Sequence, residues 1–169
     1  DDIISMGGTF QRLADHGHDV HVAYQTSGNI AVADDEAFRF VEFVKDYNSQ
    51  FKINAPDADK IYEQSSSFLK QKKNAEPDIA ALRQVKGLIR KGEAKNTCRF
   101  VGIPDENIHF LNLPFYETGT IEKKPIGEED IQIIASLIQH IKPHQIYAAG
   151  DLADPHGTHK VCLDGIFAA

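Results

Sequence analysis

The stretch Asp154-Pro155-His156-Gly157-Thr158-His159-Lys160, near the end of the chain, gathers groups that can do chemistry. Its two histidines stand three positions apart, directly after an apolar run and a glycine. If Pro155 opens a helix, one early turn carries both imidazoles on one face, about 4.5 Å apart along the axis. Such a pair can bind a metal, hold an anion or do acid–base work, and it can equally be two ordinary surface histidines. At the other end of the chain, Asp1-Asp2 precedes Gly7-Gly8. A carboxylate pair and a histidine pair on neighbouring loops would make a divalent-metal site. Mixed oxygen and nitrogen ligands suit zinc, with iron or manganese as alternatives.

The elements that must position these groups follow an α/β rhythm. Residues 4–17 read as a glycine turn, with Thr9 placed to cap, and then a helix carrying Phe10, Leu13 and Ala14 that Gly17 stops. Val20, Val22 and Tyr24 alternate as a strand within 19–26, and Ser27-Gly28-Asn29 is its exit loop. Long helices take over from Asp34. The first carries Ala37, Phe40, Val41, Val44 and Tyr47 at helical spacing, and a second covers 58–73. Pro77 starts a third, with Ile79, Leu82, Lys86 and Ile89 near one face, and Gly102 and Pro104 stop it after Phe100. The serine and lysine runs of this region, including Lys70, Lys72 and Lys73, read as solvated helix faces. A strand returns over 107–113 and leaves through the loop 114–119. An amphipathic helix with three acids at its start covers 128–141, and 145–150 reads as a buried strand. Ligands of open α/β sheets bind beyond the carboxyl ends of the strands, which selects the loops 27–29, 115–118 and 151–159.

Composition narrows the function classes. With 169 residues the chain has the length of one domain and can bury a core. Its 18 basic and 25 acidic residues leave a net charge of −7, which argues against a nucleic-acid surface. The two cysteines, Cys98 and Cys162, lack metal-type spacing and suit a reduced, cytoplasmic setting. No apolar run is long enough to suggest a membrane span. The abrupt start at Asp1 and the stop at Ala169 inside a helical pattern give the expectation of a fragment. A nucleotide-binding turn at Gly7-Gly8 is the weakest reading, because a full Gly-x-Gly-x-x-Gly is missing and the adjacent acids would repel phosphate.

Several motifs in order carry a resemblance. Asp1-Asp2 is followed by Ser5-x-Gly7-Gly8-Thr9 and a Gly17-His18-x-Val20 strand entry. Arg90-x-x-Glu93 precedes Phe100-Val101-Gly102-Ile103, Phe110-Leu111-x-Leu113-Pro114 follows, and His156-x-x-His159 comes last. Together they resemble the LmbE-like family of N-acetylglucosaminyl-phosphatidylinositol and mycothiol-type sugar de-N-acetylases. The resemblance covers most of the chain apart from a helical insertion at about 34–76. That insertion and the loop 113–119 look like the LmbE-like domain that some bacteria carry fused behind a glucosamine-6-phosphate deaminase.

The resemblance implies a single Rossmann-like three-layer sandwich over 1–169, with a mostly parallel sheet whose first strand would precede Asp1. It implies zinc held by an upstream histidine, Asp2 and His159. Asp1 would be the general base on the metal's water, and His156 would stabilise the oxyanion or protonate the leaving amine. Arg90 would contact substrate, and its plainer reading is an ion pair with Glu93 on a helix surface. Asn29 and Tyr116, on strand-exit loops, complete the expected substrate contacts. Ile3 replaces the family's usual glutamate, and Thr158 stands where many members have an aspartate that Asp154 could replace. The remaining histidines, His16, His18, His21, His109, His140 and His144, read as scattered surface or strand-end residues. The activity implied is zinc-dependent removal of an N-acetyl group from a small-molecule amino sugar. The alternative is a non-catalytic sugar-binding or regulatory domain attached to a deaminase. A homo-oligomeric copy and a fused deaminase domain are the protein partners this allows.

Overall fold

The structure is a computed structural model that describes residues 2–120, 123–148 and 157–169, the side chains of 2–5 excepted. The chain divides into two compact units: Asp1–Ser27 with Glu93–Thr118 and Glu122–Ala169, and Gly28–Gly92 with Gly119–Ile121. Helices and a small parallel sheet alternate, as an α/β chain requires.

In the first unit, helix α1 (Asp2–Asp15) leads to strand β1 (Val22–Tyr24), and strand β2 (Ile108–Phe110) pairs with it in parallel. Val22 faces Ile108, Ala23 faces His109 and Tyr24 faces Phe110. The ladder is prolonged where Leu111 N donates to Tyr24 O and Leu113 N to Gln25 O, both at 2.9 Å. Beneath the strands Phe10, Val22, Cys98, Val101, Ile103 and Ile108 are buried together. The unit closes with helices α5 (Glu128–Ile141) and α6 (Thr158–Ala168), which pack at Gly165. A Cβ at Gly165 would lie 2.5 Å from Ile126 Cδ1 and 3.0 Å from Ile134 Cδ1, so the glycine lets the helices approach.

Helix α2 (Asp34–Gln50), helix α3 (Pro56–Gln71) and the start of helix α4 (Ala80–Phe100) form the second unit. Its core is Val32, Ala37, Leu82 and Ile89, with Phe68, Leu69, Ile79 and Val85 packed against them. Proline stands at the N-terminal end of α3, where its missing N–H costs nothing. Helix α4 ends as its sequence directs: Gly102, at φ +85°, allows Ile103 N to reach back to Cys98 O at 2.9 Å.

Four local expectations are corrected. Gly7, Gly8 and Thr9 lie inside α1 and form neither a turn nor a cap. Two helical glycines cost about 1 kcal/mol each relative to alanine, and burial of Phe10 on the same helix offsets part of this. Helix α6 opens at Thr158 with Gly157, at φ +70°, as its N-cap, so His159 sits in its first turn, while Pro155 and His156 lie outside the described residues. Residues 145–148 are irregular and exposed, with Ile146 48% and Tyr147 47% accessible, where a buried strand was expected. Among the described residues no strand offers 145–148 a ladder, and an apolar run cannot supply that pairing itself. Ser65 and Ser66 of α3 are buried, so that serine run is not a solvated face.

Candidate functional site

In the first unit the chain leaves β2 and turns through Leu113, Phe115 and Tyr116, all buried. Asp130, itself buried, fixes this loop. Its Oδ1 accepts from Phe115 N at 3.0 Å and its Oδ2 from Gly127 N at 2.9 Å, tying the loop to the start of α5. Gly127 has no side chain to reciprocate, so the carboxylate alone makes this cap. Tyr116 lies edge-on to Phe115, and the Lys123 ammonium stands 4.8 Å from its ring centroid. Burial pushes the Lys123 ammonium below its ordinary pKa. Glu117 Oε1 accepts from Ser27 N at 3.2 Å and joins the exits of the two strands. His159 is half-buried in the first turn of α6.

The same unit holds an arrangement that sequence reading missed. His21 Nδ1 lies 3.0 Å from His109 Nε2, with the rings stacked at 5.3 Å between centroids. One imidazole donates to the other, and Asp19 Oδ2 stands 3.6 Å from His21 Nε2. Burial lowers the pKa of His109, and the nearby His21 and His140 lower it further. These histidines are therefore not scattered. Their alignment depends on parallel pairing of segments 88 positions apart, a distance no local pattern spans.

In the second unit Asn29 is buried in a short 3₁₀ turn, Asn29–Ala31, behind Gly28. Gly28 has φ +67°, and a Cβ there would lie 3.3 Å from both Cγ and Nε of Arg90. The Arg90 side chain thus packs on the one residue type that suits this backbone and leaves room. Asn29 and Arg90 thereby flank the same glycine, and the structure places Tyr116 and His159 in the first unit. The second unit also contains a four-membered ion cluster. Lys72 and Lys86 each bridge Asp34 and Asp78 at 2.6–2.9 Å.

Of the other expected site residues, Asp1 and His156 lie outside the described residues, and Asp2 is described by its backbone alone, at the start of α1. Among the described residues no three His, Cys, Asp or Glu side chains gather as metal ligands. The donor types proposed, an aspartate oxygen and an imidazole nitrogen, suit a divalent cation.

The pattern of the PIG-L family, GlcNAc-PI de-N-acetylase, matches residues 1–169. The chain belongs to that family. PIG-L members are deacetylases and are in general metal-dependent. A glucosamine-6-phosphate deaminase-like protein of Bacteroides thetaiotaomicron is 53% identical over 171 residues. The match covers 100% of this PIG-L chain and 26% of that relative, so the chain spans about a quarter of the relative's length. No solved structure matches the chain. Among the described residues no helix is long and apolar enough to cross a membrane.

Proposed function

We propose that this PIG-L chain is a metal-dependent hydrolase that removes an N-acyl group, acetyl above all, from a glucosamine-type substrate. The observation that carries the reading is the family match over 1–169. In this reading the whole chain is one PIG-L domain, a Rossmann-like three-layer sandwich with a mostly parallel sheet, and 34–76 is its helical insertion. Asp2 and His159 hold a divalent cation, zinc by the chemistry of the donors. When bound, the cation supplies a Lewis acid and an acidified water at neutral pH.

Asp1 takes the proton as the water oxygen forms its bond to the acyl carbon. His156 faces the oxyanion and delivers a proton to the leaving nitrogen as the C–N bond breaks, giving acetate and a free amine. Arg90 and Asn29 orient the sugar, and Tyr116 offers an aromatic face and a hydroxyl on a loop that Asp130 holds rigid. The relative's name and length support a longer polypeptide in which this domain adjoins a glucosamine-6-phosphate deaminase-like segment. The two cysteines, Cys98 and Cys162, without metal-type spacing, support a cytoplasmic setting.

The test measures acetate release from N-acetylglucosamine derivatives by full-length protein, with and without added zinc. Release that zinc restores after chelation and that Asp1→Asn abolishes supports the reading. Release unchanged by both treatments, or none from any acylated amino sugar, overturns it.

A further inference from the structure

The second unit contains a cleft of about 450 Å³, a volume that accommodates a small polar ligand. Among its lining residues Lys72, Lys73, Arg83 and Lys86 face Asp34, Glu76 and Asp78, four cations against three acids on a chain whose net charge is −7. Lys72 and Lys86 are neutralised by Asp34 and Asp78 in the ion cluster. That leaves Arg83 and Lys73 against Glu76, a surplus of one positive charge. The half-buried Arg83 makes one hydrogen bond among the described residues, from Nη1 to Asp78 O at 3.1 Å, and no ion pair. Its guanidinium is held against Gly119: a Cβ on that glycine would fall on Nη1 and lie 2.9 Å from Cζ. Lys73 presents an exposed ammonium, and Glu76 caps the Lys73 backbone N–H at 2.8 Å.

A guanidinium fixed in place, with donors to spare and an ammonium on the same cleft, is the donor set that recognises a compact oxyanion. We propose that this cleft binds a small phosphate-bearing molecule, with Arg83 engaging the phosphate oxygens and Lys73 adding a second positive charge at the rim. The ion cluster holds the floor in shape without contributing net charge. The proposal does not use the deacetylase reading, since it concerns equilibrium binding and requires no turnover.

Calorimetry on the intact protein would compare inorganic phosphate, glucose 6-phosphate, gluconate and glucose. Saturable binding is expected for the phosphates, weakening with salt, and none for glucose. Arg83→Gln should weaken phosphate binding at least about tenfold, the usual worth of a hydrogen bond to a charged group. Lys73→Gln should weaken it severalfold, and being exposed it does not put folding at risk. Circular dichroism and melting of each variant separate lost binding from lost structure. Phosphate binding that both variants leave unchanged, gluconate binding as tightly as glucose 6-phosphate, or no saturable phosphate binding overturns the proposal.

Discussion

Replacing Lys86 with methionine tests the energetic account of the helical unit. The Lys86 side chain is 4% exposed, and its ammonium donates to Asp34 Oδ1 at 2.6 Å and Asp78 Oδ2 at 2.7 Å. Methionine keeps most of the packing volume and removes the charge. Asp78, 12% exposed, then faces Lys72 alone in a poorly solvated place. Breaking a buried ion pair by removing one partner costs about 3–5 kcal/mol. Here Lys72 still bridges both carboxylates and the Asp34 side chain is 40% exposed, so we expect about 2–3 kcal/mol. Lys72→Met, at a more exposed position, should cost about 1–2 kcal/mol. Urea denaturation at neutral pH of wild type, both single variants and the double variant gives these values. Because the two lysines share the same carboxylates, the double variant should be non-additive. A Lys86→Met protein within about 0.5 kcal/mol of wild type would refute the view that this cluster is a cooperating buried unit.

The cluster also sets a pH response. Burial of Asp34 opposes its ionisation, but hydrogen bonds and charge from Lys72 and Lys86 outweigh it and hold the carboxyl below its ordinary 3.8. That contribution is present above pH 3.8 and is lost as pH falls through the folded value, so acid melting should be shallower in Lys86→Met. His109 has the same sign for another reason. Its lowered pKa means the unfolded chain binds the proton first, so its contribution is full above the ordinary 6.5 and is lost as pH falls below it. His109→Gln should flatten the melting profile between about pH 5 and 7, and an unchanged slope would count against the stacked pair. Asp130→Ala leaves the Phe115 and Gly127 N–H groups without their acceptor and should cost about 1.5–3 kcal/mol in urea denaturation. Gly28→Ala forces an L side chain to φ +67° and against Arg90, at about 1–2 kcal/mol. In the proposed enzyme it should raise KM more than it lowers kcat, and an unaltered KM would remove Arg90 from the substrate contacts.

What the sequence makes legible follows the range of each interaction. Helices α2 and α5 begin at the acids that mark their starts, Asp34 and Glu128, because capping and 3.6-residue periodicity are local. The stop at Gly102 is legible for the same reason, since one left-handed residue ends α4. Misreadings arise where a local signal has two meanings. Gly7-Gly8 suits a turn by backbone freedom, yet the chain runs through it as helix and buries Phe10. The acids at Asp34 were legible as helix-start residues, but not as partners of Lys72 and Lys86, 38 and 52 positions away.

The same range argument applies to the candidate site. Family motifs mark Asp1, Asp2, Arg90, His156 and His159 because they are short and contiguous. The device that rigidifies the Tyr116 loop, Asp130 capping both Phe115 and Gly127, reads from sequence only as one of three acids at a helix start. An acid three residues into a helix after glycine is ambiguous between serving the macrodipole and serving a distant N–H. Burial decides between them. An exposed carboxylate at that position gains a few tenths of a kcal/mol from the dipole, whereas a buried one is tolerated only with donors close at hand. Asp130 is 3% exposed with two N–H donors at 3.0 Å and 2.9 Å, so its role is to hold the loop that carries Tyr116.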